Sequence, residues 1–155
     1  MKLQEALEIA NEVYCRIKPH CEKIEVAGSI RRLKPEVKDI DIVLIPGDPW
    51  GLNQALGSLG RPLICGDKLH RYLHFGTQVD IYFATEETWA TLLLIRTGSK
   101  ENNIRLCSLA KKRGWHLAAS GDGLFNDKGE RTAGDSEESI YKALGLPWQE
   151  PWERG

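Results

Sequence analysis

Apolar side chains recur with a helical period in five parts of the chain. In the first, one face carries Leu3, Ala6, Leu7, Ala10, Val13, Tyr14 and Ile17. A spacing of three and four residues predicts an amphipathic helix, and Pro19 marks its end. Similar patterns predict helices over 50–59, 86–96, 99–113 and 136–144. Ser99 and Ser136 stand where a hydroxyl can cap the first turn of a helix.

Short apolar runs bounded by turn residues predict strands between these helices. The runs are 24–28, the segment from Asp39 to Pro46, and then 62–66, 69–75 and 78–84. Residues 115–135 alternate short apolar pieces with turn sequences, which predicts a small antiparallel sheet of two or three strands. Pro46-Gly47-Asp48-Pro49 ends the second run.

Two aspartates lie two residues apart at the start of the second apolar run. Side chains alternate between the faces of a strand, so Asp39 and Asp41 share one face, roughly 7 Å apart. Ile40, Ile42 and Leu44 then lie on the other face. Adjacent carboxylates repel unless a cation lies between them, and hard divalent ions prefer oxygen ligands. The pattern therefore predicts one side of a metal site.

A third aspartate stands in the run at 78–84. Val79, Ile81 and Phe83 alternate with Asp80 and Tyr82. A buried, unpaired carboxylate is costly, and we expect Asp80 to join Asp39 and Asp41. Gly28-Ser29 follows the first strand and opens a turn or helix whose free N–H groups suit phosphate oxygens.

Composition restricts the class of protein. The chain has 155 residues, enough for one compact domain or two small lobes. Its net charge is -1, which argues against strong electrostatic binding along a duplex. The four cysteines have no CxxC spacing, and no apolar run approaches about 18 residues. We expect reduced thiols, a cytoplasmic location and no contact with a membrane.

Seven segments together resemble the family X DNA polymerases, the polymerase beta group of nucleotidyltransferases. They are GSIRR (28–32), DID (39–41), QVDIY (78–82), TGSKENN (97–103), GW (114–115), GLF (123–125) and SEESIYKALGLPWQEPWER (136–154). The resemblance implies an α+β fold. Residues 1–94 would form the nucleotidyltransferase palm, with a mixed, mostly antiparallel sheet and helices on one side. Residues 95–155 would form a small α/β thumb.

The resemblance also implies the roles of individual residues. Asp39, Asp41 and Asp80 would be the catalytic residues and the ligands of two Mg²⁺ ions, for which Mn²⁺ could substitute. Nucleotide-binding positions would be Gly28, Ser29, Arg32, Gly98, Ser99 and Asn103. DNA contacts are expected from Lys38, Lys68, Arg71 and Lys111, although Lys111 also fits a simple charge complement to a helix C-terminus.

Several positions depart from the family pattern. Ile95-Arg96 replaces an aromatic pair before Thr97, which bears on sugar discrimination. Cys107 stands where an arginine usually reaches the template side, and residues 118–120 replace another template-contacting stretch. The catalytic residues match the family, whereas the template-reading residues do not.

The leading hypothesis is a minimal family X-type DNA polymerase that fills gaps in DNA repair. It would add dNMP to a primer 3′-hydroxyl and release pyrophosphate. We expect dNTP and primer–template or gapped DNA as partners. The resemblance covers only the palm and the thumb, so we expect the family's lyase domain and the DNA-gripping region between lyase and palm to be absent. An accessory DNA-binding protein could replace these DNA contacts. One alternative is a template-independent or ribonucleotide-tolerant terminal transferase that uses NTP. Another is a non-catalytic nucleic-acid-binding module.

Overall fold

The computed structural model describes residues 1–155 in full. The helices are α1 (Leu3–Ile17), α2 (Gly28–Arg31), α3 (Pro49–Gly57), α4 (Trp89–Thr97), α5 (Lys100–Lys112) and α6 (Glu137–Ala143). The strands are β1 (Cys21–Val26), β2 (Ile40–Pro46), β3 (Arg61–Cys65), β4 (Leu69–His74), β5 (Thr77–Phe83), β6 (His116–Ala118), β7 (Gly123–Phe125) and β8 (Arg131–Ala133). Single turns of 3₁₀-helix lie at Lys18–His20 and Pro151–Glu153.

The larger sheet has five strands in the order β1-β2-β5-β4-β3. Strands β2 and β5 are parallel, and the other neighbours are antiparallel. This confirms the predicted α+β fold with a mixed, mostly antiparallel sheet. The register places Asp41 opposite Asp80, and it places Arg71 of β4 on the other side of Asp80.

Alternation along β2 divides the larger sheet into two apolar faces. Ile40, Ile42 and Leu44 are fully buried in a core that includes residues of α1 and α3. Val43 and Ile45 point the other way and pack in a separate cluster with residues of α4. Asp41 shares the second face, so α4 covers part of the face that carries the aspartates.

A smaller antiparallel sheet, β6-β7-β8, packs with α5 and α6 around a second core. Leu106, Leu124 and Ile140 are fully buried there. Helix α4 also contributes Leu94 and Ile95 to this core. The division into palm and thumb at residues 94 and 95 stays a prediction, because one helix packs into the cores on both sides of it.

The largest differences between the predicted and the observed element boundaries are at β1 and at the start of α4. Strand β1 begins earlier, at Cys21, and ends before Gly28, which starts α2 with a positive φ of 62°. Helix α4 begins at Trp89, since Thr85 and Thr88 form a turn in which the Thr88 hydroxyl accepts from the Thr85 N–H. None of the helices is both long and apolar enough to cross a membrane.

Candidate active site

A cleft of about 450 Å³ lies between the aspartate-bearing face of the larger sheet and the ends of α4 and α5. Eight predicted site residues line it: Gly28, Ser29, Arg32, Lys38, Asp39, Asp41, Gly98 and Asn103. They come from β2, α2 and the segments before β2 and around the start of α5. The fold therefore assembles side chains that are up to 75 positions apart in the sequence.

Position 28 requires glycine because its backbone lies close to the Asp41 carboxylate. A Cβ atom added to Gly28 would lie 2.3 Å from the Asp41 Oδ2 atom. Its φ of 62° is also a conformation that residues with a side chain seldom adopt. The first turn of α2 is thus pressed against the carboxylate, next to Ser29 at the wall of the cleft.

Asp41 lies among like charges. Burial, and then the negative charges of Asp80 and Asp39, raise the pKa of Asp41 to about 7. The positive charges of Arg96 and Arg32 oppose this increase in the pKa of Asp41. A carboxyl with a pKa near neutrality in a cleft is a candidate for function, because a cation placed beside it would relieve the repulsion.

Asp80 is buried below the cleft and is hydrogen-bonded by its neighbours. Arg71 donates from Nε to Oδ1 at 2.8 Å and from Nη2 to Oδ2 at 3.1 Å. The Tyr82 hydroxyl lies 3.5 Å from Oδ2. Arg71, which was predicted to contact DNA, is therefore engaged in a bidentate ion pair within the protein.

The three aspartates fit a divalent ion by donor type and by strand placement. They supply hard oxygen ligands, and two of them stand opposite one another on paired strands. The structure does not, however, bring three or more His, Cys, Asp or Glu side chains into a group that could hold a metal ion. The metal-binding roles of Asp39, Asp41 and Asp80 stay a prediction.

Arg32, at the end of α2, connects this helix to the end of α4 and to the C-terminal residue. Its Nη1 donates to the Thr97 carbonyl oxygen at 2.6 Å, and its Nε donates to the Gly155 carbonyl oxygen at 3.2 Å. Burial lowers the pKa of Arg32, although Asp41 and Glu101 act in the opposite direction. The guanidinium is thus fixed in the cleft wall, close to Gly98.

Ser99 and Asn103 differ in their access to the cleft. The Ser99 hydroxyl accepts from the Asn102 N–H at the start of α5 and donates to the Arg154 carbonyl oxygen at 2.7 Å. It is buried and does not line the cleft, so these contacts give Ser99 a structural role, while its predicted nucleotide contact stays a prediction. Asn103 lines the cleft, donates to the Ile95 carbonyl oxygen, and has a buried Oδ1 with no partner.

The four predicted DNA contacts are not grouped together. Lys38 is exposed at the cleft. Lys68 is exposed between β3 and β4 and borders a different depression, and Lys111 is exposed in the last turn of α5. Arg71 is paired with Asp80. Contacts of these residues with DNA stay predictions.

The sequence analysis assigned no site role to five residues that line the cleft, namely Tyr82, Ile95, Arg96, Lys100 and Ile104. The Arg96 guanidinium stacks on the Tyr82 ring at 4.2 Å from the ring centroid. Tyr82 follows Asp80 by two residues, so strand alternation was a signal that it shares the face of Asp80. Arg96 was noted only as a departure from the family pattern, and its contact with Tyr82 depends on the packing of α4 against the sheet.

A buried charge network behind the cleft was also missed. Arg31 donates to Glu137 with both terminal nitrogens, at 2.9 and 2.7 Å, and to the Thr97 hydroxyl. Arg154 donates to the same carboxylate at 2.8 Å. Burial would raise the pKa of Glu137, but the hydrogen bond and charge of Arg31, followed by Arg154, hold it below its usual range.

Comparisons with known proteins agree with this architecture. The family model described as DNA polymerase beta thumb matches residues 92–155. The chain is 34% identical over 150 residues, or 92% of its length, to a protein of Bacillus subtilis (strain 168) named "DNA polymerase/3'-5' exonuclease PolX". It spans only 26% of the length of that relative.

The fold, the match to the polymerase beta thumb and the similarity to PolX support a family X polymerase-like protein.

Proposed function

We propose that the chain is a metal-dependent nucleotidyltransferase of the family X DNA polymerase type. The observation that carries this proposal is the charge pattern of the cleft. Four basic side chains line it, from Arg32, Lys38, Arg96 and Lys100, together with the acidic Asp39 and Asp41. The chain as a whole has a net charge of -1. A local excess of positive charge beside carboxylates suits a polyanion that arrives with divalent cations.

The triphosphate of a dNTP is the polyanion that we place in this cleft. Ser29 and Arg32 would contact it, since both line the cleft next to Asp41. Charge develops on the departing pyrophosphate, and fixed cations stabilise such charge. Arg32 is suited to this role because two backbone carbonyls already hold its orientation.

Asp39, Asp41 and Asp80 would hold two Mg²⁺ ions, and Mn²⁺ could replace them. Such ions, when bound, stabilise the attacking and the leaving oxygens of an in-line displacement. Asp80 would also help to activate the primer 3′-hydroxyl. The hydroxyl oxygen would bond to the α-phosphorus, its proton would pass to the Asp80 carboxylate, and the bond between the α-phosphorus and the departing pyrophosphate would break. The primer is lengthened by one dNMP.

Primer extension tests the proposal directly. A labelled primer on a gapped template is supplied with the four dNTPs and Mg²⁺ or Mn²⁺, and products are resolved by length. We expect extension by the unaltered protein and none by Asp39→Ala. Asp127→Ala is the matched control, because Asp127 is exposed outside the cleft and its loss should change nothing. Equal extension by the protein and Asp39→Ala contradicts the proposal.

The same assay examines the finer parts of the function. The proposed substrate is DNA with short gaps, as arises in DNA repair. An accessory DNA-binding protein could strengthen binding to this DNA. Supplying single dNTPs or NTPs with and without a template tests for a terminal transferase. Strict incorporation of template-matched dNTPs would eliminate that alternative.

A non-catalytic nucleic-acid-binding module is the second candidate. The ion pair between Asp80 and Arg71 favours it, because the third carboxylate is already neutralised within the protein. Calorimetric titration with Mn²⁺ and dATP separates the two functions. Nucleotide binding that requires Mn²⁺ supports the enzyme, whereas DNA binding without any Mn²⁺-dependent nucleotide binding supports the module.

A further inference from the structure

Strand β1 forms one edge of the larger sheet, and no strand pairs with its outer side. The Ala27 N–H donates to the Asp41 carbonyl oxygen of the neighbouring chain segment at 2.8 Å. Backbone groups alternate in direction along an antiparallel ladder, so those of Glu25 also point to β2. The N–H and C=O groups of Ile24 and Val26 therefore point outward. They form a row that can pair with another strand.

The opposite edge of the sheet is protected in a way that β1 is not. Strand β3 contains Pro62, which has no N–H, and its pairing with β4 is irregular between Pro62 and Ile64. Proline and irregular pairing both hinder the addition of a further strand. Strand β1 has no proline, and its irregularity lies at its start, between Cys21 and Lys23. Charged side chains can also protect an edge, so the order of the charges on β1 decides whether this edge can pair.

The charges on β1 are arranged symmetrically about Ile24. Lys23 and Glu25 flank it, and both are exposed. Glu25 has no ion pair within the chain, and Lys23 makes an ion pair only with Glu86, at 3.5 Å. Two copies of β1 that pair antiparallel about a twofold axis at Ile24 place Lys23 of each copy opposite Glu25 of the other.

This register is favoured over its neighbours by the same charges. A twofold axis at Glu25 would place two glutamates opposite each other, and an axis at Lys23 would do the same with two lysines. Opposite charges across paired strands stabilise the pairing, whereas like charges directly opposite destabilise it. The edge of β1 is thus complementary to a second copy of itself in one register.

The surface on both sides of this edge is concave and partly apolar. A depression of about 440 Å³ is lined by residues that include 21–25 of β1, Tyr14 of α1 and Trp89. A second depression, of about 230 Å³, is lined mainly by apolar side chains, among them Leu7, Tyr14 and Val26. Leu7 is 39% exposed. Apolar surface beside an unpaired strand edge is typical of a site where another polypeptide packs.

We propose that β1 is a self-association surface through which two copies of this chain pair, so that their two larger sheets become one continuous sheet. Ile24 exchanges backbone hydrogen bonds with Ile24 of the other copy, and Val26 lies opposite Glu22. Lys23 and Glu25 form ion pairs across the axis. The two copies use the same surface, so association ends at the dimer. No residue of β1 lines the active-site cleft, and the association is therefore independent of the proposed nucleotide binding.

Sedimentation velocity over a range of protein concentrations tests the proposal. We expect a concentration-dependent equilibrium between monomer and dimer. Lys23→Glu and Glu25→Lys each replace ion pairs with like-charge pairs, and each should weaken the dimer by at least about tenfold. The double variant Lys23→Glu/Glu25→Lys restores opposite charges in the reverse order and should dimerise like the unaltered protein. Asp127→Lys reverses a charge on an exposed loop, and this control should leave the dimer unchanged.

Mixing the two single variants tests the register itself. Beside Ile24, Glu25→Lys carries only positive charges and Lys23→Glu only negative charges. An equimolar mixture should form a heterodimer, which a fluorescent label on one variant detects. Ile24→Pro removes an outward N–H but no hydrogen bond to β2, and it should abolish dimerisation. Circular dichroism checks that each variant is folded, and the charge variants decide the matter if Ile24→Pro does not fold.

The outcomes are distinct. Weaker dimers in both single variants, with recovery in the double variant and in the mixture, support the pairing of β1 with itself. A monomer at every concentration overturns the proposal and leaves the edge to a strand of another protein. A dimer that persists unchanged in the charge variants also overturns it, because association then uses a different surface. Weakening without any recovery in the double variant would contradict the register centred on Ile24.

Discussion

Asp41 and Glu137 are two acidic side chains withdrawn from water, and their surroundings shift their pKa values in opposite directions. Burial and the like charges of Asp80 and Asp39 raise the pKa of Asp41 to about 7. Glu137 lies between Arg31 and Arg154, which hold its pKa below the usual range despite its burial. The same desolvation acts on both groups, so the neighbouring charges decide the direction.

The comparison separates a site arranged for stability from a site arranged for binding. The charge of Glu137 is neutralised within the chain, because each of its carboxylate oxygens accepts from an arginine. The Asp41 environment contains repulsion that the chain does not neutralise. Such unfavourable arrangements persist where a ligand compensates them.

The largest effect is expected from Glu137→Gln. This change leaves Arg31 and the fully buried Arg154 side chain without their counter-charge. Breaking a buried ion pair by removing one partner costs about 3–5 kcal/mol. Urea unfolding should show a loss of free energy of unfolding of that size. Glu138 is the exposed neighbour of Glu137 in the same helix turn, and Glu138→Gln should change the free energy of unfolding by less than about 0.5 kcal/mol.

The pH dependence gives a second measurement on the same variant. The folded-state pKa of Glu137 is depressed below its ordinary 4.5, so its contribution is complete above the unfolded-state pKa. That contribution is lost as the pH falls through the folded-state pKa. The difference in stability between Glu137→Gln and the unaltered protein should therefore shrink in acid below about pH 4.5. A difference that grows in acid contradicts the proposed ion pairs.

Asp41→Asn should stabilise the protein in the absence of metal. The folded-state pKa of Asp41, about 7, lies above its ordinary 3.8, so ionisation opposes folding increasingly between these pH values. Allowing for the partial exposure of Asp41, we expect the free energy of unfolding of the variant to rise by about 1–3 kcal/mol at pH 8 and by much less at pH 5. Thermal unfolding in EDTA at both pH values measures the gain.

Asp127→Asn, on an exposed loop, is the control for this change and should leave the stability of the protein unchanged at both pH values. A loss of stability in Asp41→Asn at pH 8 would contradict the picture of uncompensated repulsion. Asp41→Asn should also abolish Mn²⁺-dependent binding of dATP, which would show that stability is exchanged for function at this position.

Metal binding should depend on pH because Asp41 must lose its proton to act as a ligand. Below its pKa of about 7, each unit of pH should change the affinity for Mn²⁺ by up to about tenfold. Above pH 8 the affinity should become constant. Electron paramagnetic resonance of free Mn²⁺ between pH 5.5 and about 8.5 measures this dependence of the Mn²⁺ affinity on pH. A constant affinity over that range would exclude Asp41 as a ligand.

The smallest effect is expected from Ser99→Ala. Loss of an N-cap hydroxyl costs about 1 kcal/mol, and the hydrogen bond to the Arg154 carbonyl is lost with it. Nucleotide affinity should stay unchanged, because Ser99 is buried outside the cleft. Ser108→Ala, on the exposed side of α5, is the matched control. Weaker dATP binding by Ser99→Ala would restore the predicted nucleotide contact.

Local patterns were sufficient to predict most of the fold. The period of the apolar residues predicted α1, α3 and α5, short apolar runs predicted β2, β4 and β5, and alternation assigned the correct faces to residues of β2 and β5. These features depend on neighbours within a few positions, which the chain itself specifies. The sequence also placed Gly28, Ser29, Asp39 and Asp41 together by their motifs, and the structure brings these four residues to one cleft.

Contacts between distant segments could not be read in the same way. The partner of Asp80 is Arg71, and this follows from the register of β4 against β5, which no local pattern reports. Arg96 reaches Tyr82 only because α4 crosses the sheet face at that point. The capping role of Ser99 was predicted from its position, but its second bond to Arg154 depends on the return of the final segment.

The amino-acid sequence was enough to specify which strand face Asp41 and Asp80 occupy and where the capped helices α5 and α6 begin. Those properties follow from backbone periodicity and from the chemistry of single side chains. Which of these charges are neutralised depends on the packing of distant segments. Electrostatic energy depends on distance and on the exclusion of water, and both are set only when remote segments pack together. That is why Glu137 became part of a buried network and Asp41 became part of a cleft.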